Sequence, residues 1–463
     1  MSKHEMIRNS RFAACAAIVM GGLALPATAQ NPALPRIAAE RGFTIATEGQ
    51  TPMVLQAEPD AACDLHLQGV SDAAHTLRVY ANAEGYVRVQ MVPSHESEPE
   101  IRVQLDCTAG GNLTVYPIHL RVADNATAEM PAPESSIPLP KGSRVLPALN
   151  NEDVRQLSDT ELIGRGYPAR PDAAISPEHY AKWLNLISRP ITLLPPHSVS
   201  HTGVYHQPAA VAAGTSITAG PATSTNWSGW LVQGGYRKYD NVVGYWHVPF
   251  AAGESGHNTN SAFWVGLDGY GNSDLVQAGT ESDYADLGGG TGAANYYSWT
   301  EVVPNQPEQE VASVNYYDYM EISVFICDDS RNPAADGSNA CFDIFNHTQD
   351  GAVGVPITTP LGTTKFQGET AEWIMERPCL ASCFTSSPGF AELTNYSAVN
   401  MDYSSVYDRV TTTWTNPLTV ANTQITMYNN GQDYPVNYAD NDKLSSVAKL
   451  SSTSMQFTWH HFH

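Results

Sequence analysis

Ala371-Glu372-Trp373-Ile374-Met375-Glu376 is the stretch whose reading decides the fold. Successive side chains of a β-strand point to opposite faces, so Glu372 and Ile374 share one face while Trp373 and Met375 share the other. Short aromatic runs of the same kind surround it: Ala262–Leu267, Leu275–Gly279, Tyr296–Val303, Met320–Ile326, Val410–Trp414, Ile425–Tyr428 and Met455–Trp459. Gly- and Asn-rich turns separate these runs, and no convincing helix interrupts them. Eight of the nine Trp lie beyond Ser224. So many short strands in one segment predict an all-β, two-sheet antiparallel sandwich or jelly roll.

Upstream, the texture differs. Residues from about Thr44 to Ala123 alternate with period 2. Leu77-Arg78-Val79-Tyr80 and Tyr86-Val87-Arg88-Val89, joined through Ala83-Glu84-Gly85, predict a hairpin. The whole of 30–123 reads as a small β-sandwich module with no catalytic constellation. Residues 124–223 begin with a proline-rich linker at Pro131, Pro133, Pro138 and Pro140. Two helices are expected next. One opens at the capping box Ser158-Asp159-Thr160-Glu161, the other at Ser176-Pro177-Glu178, with Pro in the first turn. Tyr180, Trp183, Leu184 and Ile187 then form an apolar stripe at helical spacing. The stretch from Pro195 to Thr223, rich in Pro, Ala, Gly, Ser and Thr, reads as exposed and cleavable. This segment is expected to be a propeptide whose helices cover a groove in the domain 224–463.

The first residues carry a secretory pattern. Lys3, Arg8 and Arg11 precede an apolar core from Phe12 to Leu25, and Ala27-Thr28-Ala29 is a small-x-small cleavage site. Residues 1–29 are therefore expected to be a removed signal peptide, and the protein to be secreted or periplasmic. Six cysteines then remain, an even number that favours disulfides in an exported chain. Sequence order suggests the pairs Cys63–Cys107, Cys327–Cys341 and Cys379–Cys383. No metal and no cofactor is expected.

Formal charge is −23, from 47 acidic and 24 basic residues. Such a surface is a poor partner for nucleic acid or anionic membrane, and after signal removal a monomer acting on protein or peptide substrates is expected. From Ser224 onward 26 acidic residues face only 8 basic ones. In acid most of those carboxylates are neutral, so self-repulsion fades and few salt bridges exist to be lost.

The common hydrolase signatures are absent. There is no G-x-S-x-G, no H-E-x-x-H, and neither Asp-Thr-Gly nor Asp-Ser-Gly. What the chain does hold is an ordered series. Asn226-Trp227-Ser228-Gly229-Trp230 is followed by Trp246-His247-Val248-Pro249, then Trp264-Val265-Gly266-Leu267-Asp268-Gly269. Leu275-Val276-Gln277-Ala278-Gly279, Trp299-Thr300-Glu301 and Ala371-Glu372-Trp373-Ile374-Met375-Glu376 complete it.

From roughly Thr223 to Trp459 the chain resembles the glutamic peptidases, the eqolisins or G1 peptidases. The resemblance implies a concanavalin-like pair of seven-stranded antiparallel sheets with a substrate groove on the concave face. It makes Gln277 and Glu372 the catalytic dyad, and Trp264, Asp268, Trp299 and Glu301 groove and support residues. Two positions depart from the family: Tyr297 stands where Asp is expected, and Val303 where Tyr is expected. The implied chemistry also follows from the side chains. A carboxyl with an unperturbed pKa of about 4.3 takes a proton from water in acid and passes it to the leaving amine. A glutamine amide does not titrate, so it donates to the oxyanion at any pH. Exposed aromatic side chains on such a sandwich also suit a carbohydrate-binding or glycoside-acting protein. That alternative would pair Glu372 with Asp268 or Glu301.

Overall fold

The computed structural model describes residues 35–46, 49–70, 73–93, 99–123, 139–201, 204–206, 220–348, 352–380, 389–429 and 443–462. The expected signal peptide, most of the proline-rich linker and Cys383 lie outside these residues.

Beyond Ser224 two antiparallel sheets face each other. The first runs in the order Asn422–Tyr428, Trp227–Gln233, Thr370–Glu376, Thr259–Asp268, Leu275–Gly288, Thr291–Val303, Gln306–Ser313. The second runs Lys443–Lys449, Met455–Trp459, Ala398–Asp408, Tyr239–His247, Tyr319–Cys327, Asn339–Asn346, Val353–Pro360. The strands Asn422–Tyr428 and Lys443–Lys449 join the two sheets along one edge. Alternation sends Val265, Leu267, Val276, Ala278, Trp373 and Met375 into the core between the sheets. Trp373 also reaches across it, donating from Nε1 to the carbonyl of Val243 at 2.9 Å. The opposite face of the first sheet carries a separate aromatic cluster that includes Trp227, Trp264, Trp299 and Ile374.

One expected strand is mostly turn. Arg409 to Thr412 form turns, and the strand is only Thr413–Thr415. The Asp408 carboxylate accepts from the amides of Val410 and Thr411, a local hydrogen-bonded turn that outcompetes the β-branched run.

The N-terminal module is a sandwich, but the predicted hairpin does not form. Leu77–Tyr80 pairs with Ala62–Leu67, whereas Tyr86–Pro93 pairs with Thr51–Gln56 and so belongs to the other layer. The Asn82 side chain accepts from the amides of Glu84 and Tyr86 and turns the chain between layers. Tyr86–Pro93 pairs in turn with the distal end of Thr291–Val303, so this layer continues the first sheet of the C-terminal sandwich. Ala285, Leu287 and Ala293 are members of the module's own core. Residues Pro35–His463 accordingly form one compact unit.

Three helices, not two, occupy the described part of the middle segment: α1, Asn151–Gln156; α2, Asp159–Arg165; and α3, Pro177–Ile187. The unanticipated α1 has a capping box built from Asn150 and Asp153, in which Asp replaces the usual Glu or Gln. The stripe on α3 is core, with Trp183 and Ile187 fully buried against Phe345, Ala352 and Leu193. Phe345 and Ala352 belong to the second sheet or the turn beside it, and Leu193 to the short strand Ile191–Leu193 that pairs with the sheet's edge. His179 of α3 is hydrogen-bonded to the Tyr245 hydroxyl on the outer side of that sheet. The helices thus lie on the outer layer and do not cover the groove, contrary to expectation. What approaches the groove is the extended segment after them. Val199–Ser200 pairs with Gln309 and Glu310, and Val204–Tyr205 pairs with Cys379–Leu380.

Disulfides join Cys63 to Cys107 and Cys327 to Cys341. Cys379 is also disulfide-bonded. No helix among the described residues is long and apolar enough to cross a membrane.

Candidate active site

Three neighbouring strands of the first sheet bring together Gln277 and Glu372, the pair expected to be the dyad. Gly266 stands opposite Gln277 on one flank and opposite Glu372 on the other. Directly opposed residues share a face of the sheet, so the amide and the carboxyl stand either side of a residue without a side chain. A Cβ at Gly266 would lie 2.8 Å from Trp264 Cζ3 and 3.2 Å from both Leu275 Cδ1 and the Val276 carbonyl. Gly266→Ala should therefore displace Trp264 and wedge a methyl between Gln277 and Glu372. A cost of about 1–3 kcal/mol in denaturant-measured stability and a loss of activity larger than that destabilisation explains are expected. Unchanged activity would mean that the gap is not used.

The row extends to Glu301, which lies opposite Gln277 on the next strand. Gln277 Nε2 donates to Glu301 Oε2 at 2.7 Å, which orients the amide. All three polar side chains are buried. Burial pushes Glu301 up to about 8. It raises Glu372 well above the ordinary carboxyl range, opposed by the Thr370 hydroxyl and reinforced by the charge of Asp268.

One step along the strands lies a second row, Trp299, Gly279, Trp264 and Ile374. Gly279 separates the two indoles, and a Cβ there would meet Trp264 Cβ at 2.6 Å. Trp264 donates from Nε1 to Glu376 Oε2 at 2.9 Å, and Trp227 packs edge-on against it. Asp268 does not line this face as a wall. It adopts a left-handed φ of 68°, and its carboxylate accepts from the amides of Gln367, Gly368 and Glu369 at 2.7–3.0 Å. The carboxylate therefore ties down the loop that leads into the Glu372 strand, which leaves it ill suited to pair with Glu372 in glycoside chemistry.

A third row holds Tyr297, Glu281, Ala262, Glu376 and Trp227. The imidazole of His206 lies over it, fully buried. Its ring stacks on Trp299 with centroids 4.0 Å apart and planes 8° from parallel. Nε2 is 3.4 Å from Glu308 and 3.7 Å from Glu281, and Nδ1 is 3.4 Å from Glu376. His201, earlier on the same extended segment, hydrogen-bonds Glu310 at 2.7 Å and lies between Tyr80 and Tyr297, its ring tilted 39° and 41° to theirs. Sequence reading missed this group. Glu281 and Glu376 each fall four residues beyond a dyad position and so on the same face, a usable signal. His206 sits in a stretch with no periodicity and gave none.

Burial also raises Asp283 to about 7 and Asp343 to about 6. A carboxyl held above its unfolded value binds its proton more tightly in the folded chain. Its contribution is complete in acid, below about pH 4, and disappears as pH rises through the folded value. With Glu301 the last of these, stability should be highest in acid and fall between about pH 4 and 8. Chemical denaturation across that range checks this; a midpoint that rises toward pH 8 would contradict it.

Two seven-stranded antiparallel sheets, with Gln277 and Glu372 flanking Gly266 on the face away from the core, define an all-β protein of the two-sheet sandwich class. Residues 225–452 match the model of the Peptidase A4 family. The C-terminal region belongs to that family, the eqolisins, and the protein is a glutamic endopeptidase acting on protein or peptide substrates. Among solved structures, scytalido-glutamic peptidase with a transition state analog inhibitor is 18% identical, with 51% of this chain and 98% of that one covered and a TM-score of 0.39. SCP-B, a member of the eqolisin family in complex with the tripeptide Ala-Ile-His, is 18% identical over the same shares, with a TM-score of 0.37. No curated protein matches the chain significantly.

Proposed function

We propose that the protein is an exported acid endopeptidase made as a zymogen, with Glu372 as general base and acid and Gln277 as oxyanion donor. The observation that carries this reading is the placement of both side chains opposite Gly266, with Glu301 holding the Gln277 amide. Backbones two strands apart are about 10 Å from each other, room for two side-chain heads and a water between them. Once the groove opens and burial no longer holds the proton on it, the Glu372 carboxylate takes a proton from that water as it attacks the scissile carbonyl. One N–H of Gln277 is held by Glu301, and the other is free for the oxyanion. Glu372 then delivers its proton to the leaving nitrogen. Trp264 and Trp299 wall the groove, and Asp268 and Glu301 position the pair. The domains are read as signal peptide 1–29, module 30–123, propeptide 124–223 and peptidase 224–463.

In the full chain the dyad is buried, so water must be admitted before it can work. Acid favours this. His179 seats α3 with its pKa lowered by burial to about 4. That seat is secure while the ring is neutral and weakens as pH falls from about 6.5 toward 4. Glu308 is raised by burial, but the His206 and His201 imidazoles more than offset this and hold it low. Its pairing with the extended segment fails only when pH falls through that lowered value.

Acidification of the full-length protein should lead to self-cleavage between Pro195 and Thr225, read by N-terminal sequencing. Digestion of a denatured protein in acid should then proceed with pepstatin-type inhibitors or chelators present. An active product still covalently carrying Trp183 would exclude the propeptide reading, and inhibition by either reagent would exclude the mechanism.

A further inference from the structure

The N-terminal module is joined to the peptidase domain by more than the chain that connects them. Thr291 to Ala294 pair with Pro93 to Gln90, beyond Tyr297, where the pairing with Gln306–Ser313 stops. Tyr86–Pro93 therefore covers a stretch of sheet edge that would otherwise be a template for aggregation. Ala285 and Ala293 stand opposite each other and, with Leu287, share one buried core with Met53, Val89 and Met91 of the module. Alternation puts Ala285 on the face that carries Gln277, about 26 Å further along the strand. The module thus covers the end of that face. Polar contacts close the joint. Gln50 Nε2 donates to the Tyr296 hydroxyl at 2.6 Å, and that hydroxyl also accepts from the Ala251 amide at 2.8 Å. Gln90 donates to Asn315 at 3.2 Å, and Asn258 donates to the carbonyls of Ala73 and Thr76 at 3.2 and 3.1 Å. His75 Nδ1 is bonded to the Asp286 carbonyl at 2.9 Å.

We propose that the module is a permanent part of the enzyme: after self-cleavage it stays bound, without a covalent link, as a separate chain that completes the first sheet. This rests on the reading of a zymogen cut between Pro195 and Thr225. Both module cysteines pair with each other, so no disulfide ties the module to the peptidase domain. The joint is made of apolar burial, main-chain pairing and neutral hydrogen bonds, and none of the contacts named above needs an ionised carboxylate. Of the titratable groups in those contacts, Tyr296 is neutral in acid and a protonated His75 still donates to a carbonyl. Acid that loosens the His179 seat of α3 therefore leaves this joint in place. The module's contacts with the extended segment, Asp60 with His197 and Tyr80 with His201, are separate from it. Loss of the module would expose Ala285, Leu287 and Ala293 together with an open strand edge.

The test cuts the full-length chain from outside. Recognition sites for a sequence-specific protease are placed after Ala132 and after Pro208 in the Glu372→Gln variant, so that self-cleavage plays no part. After both cuts the module, now free of the helices as well, should co-elute with the peptidase fragment on gel filtration at pH 4 and at pH 7. It should separate only in denaturant. Gln50→Ala removes one hydrogen bond to the buried Tyr296 and should weaken the association about fivefold, read as earlier release of the module on dilution. The acid-activated wild type should carry the module in the same peak as its activity. A module that elutes alone at pH 4, active wild-type enzyme free of it, or a Gln50→Ala complex as tight as the parent would overturn the proposal. Failure of the wild type to cut itself would instead overturn the zymogen reading, and the outside cuts would still decide whether the module stays.

Discussion

Glu372→Gln is expected to abolish turnover and leave the chain folded. A single positioned acid–base group is worth about 10²–10⁴ in rate. Glu372 serves both in water attack and in protonation of the amine, so the upper end of that range is expected. The substitution is nearly isosteric. Because burial holds Glu372 in its neutral form in acid, stability at pH 4 should barely change. At neutral pH the variant should be the more stable protein, since wild type must then either ionise a buried carboxyl or hold its proton at a cost. Acid digestion of a denatured substrate and paired denaturation curves at the two pH values check both halves. Near-full activity in Glu372→Gln, with loss in Glu369 or Glu376 variants, would mean that another carboxyl is the base.

The second large effect is on the amide. Gln277→Ala removes the proposed oxyanion donor, for which losses of about 10²–10³ in kcat are typical. It also leaves Glu301 without its 2.7 Å donor. Because Glu301 is neutral in acid, with its value pushed to about 8, the fold should tolerate this below neutral pH. KM should change far less than kcat, since the donor matters most where charge develops. An effect confined to KM would place Gln277 in ground-state binding and remove it from the oxyanion role.

Much of this protein could be read in order along the chain. Alternation in Ala371–Glu376 assigned Glu372 and Ile374 to one face and Trp373 and Met375 to the other, as the two clusters now have them. Ser158 and Glu161 marked a helix start by a hydrogen-bond pattern spanning three residues. The cysteine pairs that can be seen join neighbours in sequence order. Each of these signals is local, written within one strand, turn or cap. The tertiary structure alone decided the rest, because each remaining feature depends on which distant segments meet. Register across three strands set Gln277 and Glu372 opposite the same glycine, and period-2 patterning carries no information about register between strands. The runs at Leu77–Tyr80 and Tyr86–Val89 have hairpin chemistry, yet each pairs with a strand of a different layer. The stripe on α3 looked the same whether it met the groove or the outer sheet. His206 lies 75 to 170 residues before the glutamates it meets, in a stretch without pattern. Only the folded chain places its charge among theirs.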